Sequence, residues 1–158
     1  HDYSGGTDML EQDQLRMLSN RIDSLARLRR RFLNKRLSST DLKGHQFLML
    51  LTILHDPGIS QEEISEKIDI DKTRIARSSI LLEEKGYIER RRDTEDRRKY
   101  HLFLTEQGNE LIPTIRSIIY DWSITITEGL SEEEIRLLLP MIDVLYNNAR
   151  KHDDPALI

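Results

Sequence analysis

Residues Gly58 to Gly108 read GISQEEISEKIDIDKTRIARSSILLEEKGYIERRRDTEDRRKYHLFLTEQG. Two helical patterns and then two alternating patterns follow one another here, and that order decides the fold. Ser60, with Glu63 three positions on, forms a capping box: the hydroxyl accepts from a backbone N–H while the carboxylate reaches back. The helix it opens is predicted to run to about Ile68. Asp71 is placed to cap a second helix, KTRIARSSILLEEK, which Gly86 closes where a left-handed residue ends a helix. Ile75, Ile80, Leu81 and Leu82 are its expected buried stripe, with Lys72, Thr73, Arg74, Arg77 and Ser78 mostly on the opposite side. YIERRR and KYHLFLT alternate and are joined through DTED, which predicts a β-hairpin. Tyr100, Leu102 and Leu104 share one of its faces, His101 and Phe103 the other.

Working outward, Leu15, Leu18, Ile22, Leu25, Leu28 and Phe32 recur at helical spacing and predict a long amphipathic helix from about Leu10 to Leu37. SSTD breaks it, and Thr40 or Asp41 is placed to cap a further helix through LKGHQFLMLLTIL. Pro57 and Gly58 then mark a turn. Beyond the hairpin, Thr105 is the expected cap of a helix to about Glu128. Ile112, Ile115, Ile119, Trp122 and Ile126 keep a three–four spacing along it, and Pro113 predicts a bend or a later start. Ser131 and Glu134 form a second capping box, opening a last helix to about Arg150 that Pro140 should kink. HDYSGGTD, before Met9, reads as an affinity-tag remnant. The expected segments are therefore 1–8 (tag remnant), 9–40 (N-terminal helix), 41–108 (helix pair with hairpin) and 109–158 (C-terminal helices).

The chain has 158 residues and a formal net charge of -4, a length that suits one domain with appendages. The average charge misleads. Lys72 to His101 holds ten Lys/Arg against six Asp/Glu, a local balance of +4 that leaves -8 for the remainder. Arg27 to Arg36 is a second basic run, without an acid. Basic patches on an acidic body suit a polyanion, although a solvated helix face has the same composition. Without cysteine there are no disulfides, thiolate metal sites or thiol-oxidation sensor, which fits a cytoplasmic setting. No apolar run approaches the ~20 residues of a membrane span. The five histidines lack paired metal spacing, and no phosphate loop or nucleophile elbow is present. No enzyme activity, metal or cofactor is expected.

A mainly α fold with a small β-hairpin follows, a helix-turn-helix with the hairpin as its wing. A B-DNA major groove admits one helix, whose N-terminal side chains meet base edges; Lys72, Thr73, Arg74, Arg77 and Ser78 occupy that end. Arg suits the wing tip because a narrow minor groove concentrates negative potential. The wing set is Arg90, Asp96, Arg97, Arg98 and Lys99, with Asp96 placed to fix the direction of Arg98. The alternative is a winged helix that binds another protein, its basic hairpin serving only solubility.

This stretch closely resembles the winged-helix core of MarR-family transcriptional regulators. LLEEKGYIERRRD, the Asp-x-Arg at Asp96–Arg98 and LFLTEQG carry the likeness, which extends to the long first helix and to the two C-terminal helices with LSEEE between them. The resemblance implies terminal dimerisation helices, an inverted-repeat operator in double-stranded DNA, and entry of Arg98 into the minor groove. It also implies a small aromatic anionic effector between the dimer region and the DNA-binding lobe, for which Arg27, Arg30, Arg31, His45 and Trp122 are candidate linings. DKTRIAR, with three basic side chains at the helix start, departs from the family pattern and points to a base sequence of its own.

Overall fold

A computed structural model describes the backbone of residues 5–152 and the side chains of 12–152. The tag-remnant reading covers residues 1–8, of which the first four lie outside the described residues, as do the last six of the 109–158 segment. The elements run α1 (Gly5–Leu37), a 3-10 turn (Ser38–Thr40), α2 (Gln46–His55), α3 (Gln61–Ile68), α4 (Lys72–Glu84), β1 (Ile88–Arg92), β2 (Tyr100–Leu104), α5 (Glu106–Thr127) and α6 (Glu132–His152). The chain is mainly helical with one antiparallel hairpin, as its sequence pattern predicts. Two compact units divide between Trp122 and Ser123.

Local chemistry sets most boundaries. Both capping boxes close: Ser60 Oγ accepts from Glu63 N at 3.2 Å and Glu63 Oε2 from Ser60 N at 2.8 Å, while Ser131 and Glu134 pair at 3.2 and 2.7 Å. Asp71 caps α4 through Arg74 N at 2.9 Å. Thr105 Oγ1 accepts from Gly108 N at 3.0 Å at the start of α5. The start of α2 differs from expectation. Thr40 Oγ1 donates back to Leu37 O at 2.7 Å and Asp41 is left-handed at φ 61°, so neither caps. The helix begins only at Gln46, after His45 and with no side-chain cap. Helix α1 begins earlier than the apolar pattern, at Gly5, and α5 runs through Pro113 from Glu106 to Thr127 without a late start.

The stripe of α4 is rotated from the expected one. Ile75, Ser78, Ser79 and Leu82 are buried, the i, i+3, i+4, i+7 set of one helix face. Ile80 and Leu81 stand exposed, because three successive residues cannot share a face. In α5 the buried set is Gly108, Ile112, Ile115 and Ile118, with Ile119 at its margin.

Hairpin register pairs Ile88 with Leu104, Arg90 with Leu102 and Arg92 with Tyr100. Leu102, fully buried, joins Met49, Leu50, Ile53, Ile64, Ile75, Leu82 and Ile115 in one core. The segment at Gly58–Ser60 adds an antiparallel bridge, Ser60 to His101, with Gly58 N donating to Leu102 O at 2.8 Å and Leu102 N to Ile59 O at 3.0 Å. Two glycines permit the close approaches. A Cβ on Gly108 would lie 2.0 Å from Tyr87 O, and one on Gly58, at φ +89°, would lie 3.1 Å from the Phe103 ring.

The terminal helices behave otherwise. Leu15, Leu18, Ile22, Leu25 and Leu28 of α1 are 43–60% exposed, and among the described residues α1 enters the core through Leu33 and Leu37, with Phe32 packed against it. In the second unit, α6 buries no residue.

Candidate nucleic-acid interface

The first two turns of α4 present Thr73, Arg74 and Arg77 to solvent. Lys72 is also exposed, but its ammonium is bonded to Glu62 of α3; the pair raises the lysine pKa and lowers that of the carboxyl. Ser78 does not belong to the wet face. It is buried, and its Oγ lies 2.9 Å from His45 Nε2, since residue 78 falls one turn after Ile75 on the core side.

On the wing, Arg98 is 92% exposed, and Asp96 Oδ1 accepts from its backbone N at 3.1 Å and its Nε at 3.3 Å. Arg97 and Lys99 flank it in solvent. Arg90 is not part of this exposed set. Its side chain is only 18% exposed, its Nε donates to Glu83 Oε2 at 2.7 Å, and its guanidinium covers the Tyr100 ring at 4.7 Å. As the partner of Leu102 it sits mid-strand, where α4 supplies Glu83 and no phosphate can reach it freely.

Helix and wing meet. A groove of about 240 Å³ is lined by Ser60, Gln61, Lys72, Ala76, Arg98, Lys99 and Tyr100, with Glu62 as its one acid, so the start of α3, the start of α4 and the wing share one concavity. Gln61 Nε2 is the one buried side-chain nitrogen or oxygen without a hydrogen-bond partner among the described residues. Sequence reading missed this amide, because nothing in the pattern marks a donor as unpartnered.

The wing turn is tied by a pair that residue spacing also concealed. Asp93 Oδ1 accepts from the backbone N of Glu95 and of Asp96, both at 2.8 Å, and Asp93 Oδ2 lies 2.7 Å from His101 Nε2. The imidazole and then the two N–H groups pull the Asp93 pKa down to about 2. The other ring nitrogen, Nδ1, lies 2.7 Å from Gly58 O. Asp93 first and Gly58 O second raise the His101 pKa.

A second concavity, of about 490 Å³, opens between α1, the start of α2 and the α3–α4 connection. Arg29, Arg30, His45 and Arg74 give it cationic walls, and Asp69 is the acid among its lining residues. Leu33, Phe47 and Ile70 supply apolar surface. Burial, and then Arg74, lowers the His45 pKa. Of the expected lining residues, Arg30 and His45 are present. Arg27 instead donates to Ser24 Oγ at 2.9 Å, Arg31 is exposed elsewhere, and Trp122 packs on Phe32 with ring centroids 5.4 Å apart. The pocket face of α1 is Ala26, Arg29, Arg30, Leu33 and Asn34; residue 27 falls at the edge of that face and residue 31 well beyond it.

Residues 42–100 match the sequence model of the MarR family. The chain is 32% identical over 103 residues to the uncharacterised HTH-type transcriptional regulator YybA of Bacillus subtilis, covering 65% of this chain and 64% of that protein. A crystal structure of MarR superposes with TM-score 0.78 and 34% identity over 86% of this chain and 92% of that one. The chain belongs to the MarR family. A Listeria monocytogenes protein described as a putative MarR-family regulator, solved in complex with 26mer DNA, superposes with TM-score 0.75 at 27% identity, covering 82% of this chain and 86% of that one. MarR-family transcriptional regulators are DNA-binding proteins without enzymatic activity. No helix among the described residues is long and apolar enough to cross a membrane.

Proposed function

We propose that this MarR-family chain is a cytoplasmic transcription regulator that binds an inverted-repeat operator as a homodimer, and that a small aromatic anion modulates it. One observation carries the reading: the groove in which the first turn of α4 adjoins Arg98 and Lys99 of the wing. A helix in the major groove and an arginine in the adjacent minor groove need that adjacency. Arg74 and Arg77 are the assigned base readers, with Thr73 beside them. Arg97, Lys99 and Lys72 meet phosphates, Lys72 by exchanging Glu62 for the backbone. The unpartnered Gln61 amide suits a phosphate oxygen arriving in the same groove. Buried Ser78 and ion-paired Arg90 are left out of the contact set. The open apolar stripes of α1 and α6 support a homodimer, whose two recognition helices should lie about 34–36 Å apart on DNA.

Selection from random duplex DNA, followed by anisotropy titration in increasing salt, tests this. An inverted repeat should emerge, with a log–log salt slope of roughly -3 to -5, from about -0.9 per neutralised phosphate and three phosphate-facing cations in each protomer. A slope near zero would point instead to a winged helix that binds protein. The cationic pocket supports the effector reading, and Arg74 lines it while standing at the start of α4. Benzoate should weaken DNA binding, and Arg30→Ala should abolish that response while leaving affinity without benzoate intact.

A further inference from the structure

We propose that His101 is a positioning residue: an imidazolium that fastens the wing to the helix-turn-helix body and so aims Arg98, making DNA affinity fall as pH rises. The coupling to DNA rests on the function proposed above; the state of the ring does not.

The hydrogen bonds dictate the charge. Gly58 O, 2.7 Å from Nδ1, is a carbonyl and can only accept. Asp93 Oδ2, 2.7 Å from Nε2, belongs to a carboxyl ionised down to about pH 2, and it too only accepts. A neutral imidazole has one N–H and one lone pair, so it would set a lone pair against one of these oxygens. Both nitrogens therefore carry protons.

The position gives the charge a task. Gly58 lies in the loop between α2 and α3, part of the body, and Asp93 lies at the root of the wing turn. Asp93 accepts from the backbone of Glu95 and Asp96, and Asp96 in turn holds Arg98. A continuous path thus runs from the body through His101, Asp93 and Asp96 to the exposed guanidinium. Around the ring, Asp93 comes from the turn and Glu63 from the start of α3, both favouring the cation. Arg91, opposite on β1, turns its guanidinium to Glu89 and over the Phe103 ring, while Asp56 of the same loop is engaged by Lys67.

The sign follows. The folded pKa of His101 lies above its ordinary 6.5, so the fastening is complete below that value and is lost as pH rises through the raised one. Loss of the second proton frees one end of the path, and Arg98 then searches more orientations before it meets a groove.

Two measurements on the full chain decide the matter. Imidazole ¹H–¹⁵N spectra below pH 6.5 should show both His101 nitrogens protonated, with the second proton lost only above that value, and Asp93→Asn should move that loss to lower pH. A single protonated nitrogen below pH 6.5 would overturn the proposal. With a duplex recovered by selection, affinity should fall about three- to tenfold as pH rises from 6.5 through the raised pKa of His101, the scale of one charge-assisted hydrogen bond. His101→Gln, which cannot titrate, and Arg98→Ala, which leaves nothing to aim, should both flatten that decline. Should His101→Gln fail to melt cooperatively, Asp93→Asn takes its place. A decline unchanged in these variants sinks the coupling while DNA binding stands. Absence of DNA binding at every pH removes the functional reading and the coupling together, and the spectra still decide the state of the ring.

Discussion

The winged lobe and the terminal helices spend the same apolar residue types in opposite ways. In the lobe, Leu50, Ile64, Ile75 and Leu102 are fully buried within a single chain. In α1 the leucines from Leu15 to Leu28 stand open, and α6 exposes Leu137, Leu139, Met141 and Val144. A soluble monomer seldom leaves stripes of this size uncovered. The lobe closes its core within one chain, with Leu33 and Leu37 of α1 and Ile112, Ile115 and Ile118 of α5 inside it; the open stripes of α1 and α6 have no cover among the described residues.

The largest loss is expected at Leu102. Its truncation to Ala should cost about 2–5 kcal/mol, because the core around it has little freedom to collapse, and chemical denaturation should show the same loss at every protein concentration. Leu138→Ala in α6 should instead leave a loss that grows on dilution. If the two variants responded alike to dilution, lobe and helices would not be separate in kind. Next in size, Leu18→Glu should weaken self-association on the order of a hundredfold, since symmetry introduces the charge twice into one seam. Sedimentation should report monomers with an unaltered lobe spectrum; an unchanged dimer would place the seam elsewhere.

The same divide explains what could be read from sequence. Caps were legible because Ser60–Glu63, Asp71–Arg74 and Ser131–Glu134 are completed within four residues, and the hairpin faces followed from alternation. Partnerships across the fold were not. Arg90 looks like a wing cation until α4 brings Glu83 to it. Ser78 looks wet until His45 arrives from the start of α2. Arg29 was passed over for Arg27 and Arg31 because a basic run does not say which of its members face inward; only the position of Leu33 in the core does. Asp93 and His101 are eight residues apart with nothing in their spacing to join them.

One motif, the capping box, occurs in both regions. Ser60 and Ser131 begin boxes with near-identical geometry, 3.2 Å on the hydroxyl and 2.8 or 2.7 Å on the carboxylate. Local chemistry therefore predicts the same local cost for removing either hydroxyl. Ser60→Ala should lower lobe stability by about 1 kcal/mol. Ser60 also bridges to His101 across the sheet, so that loss should appear at any concentration. Ser131→Ala weakens the start of α6, a helix with no buried residue in the chain, so its effect should appear in dimer dissociation and hardly in the lobe. Acid adds a control. Glu63 and Glu134 are both held below the ordinary carboxyl pKa of 4.5 by bonds from their serines. Each box is thus intact above that value and is lost as pH falls through the lowered one. Acidifying the wild type should weaken lobe and dimer over one shared range, and each alanine variant should keep part of its own acid response, because alanine retains the backbone N–H that the carboxylate accepts from. Equal lobe destabilisation by both variants would mean that α6 is part of the lobe's cooperative unit and that the contrast between the two regions is wrong.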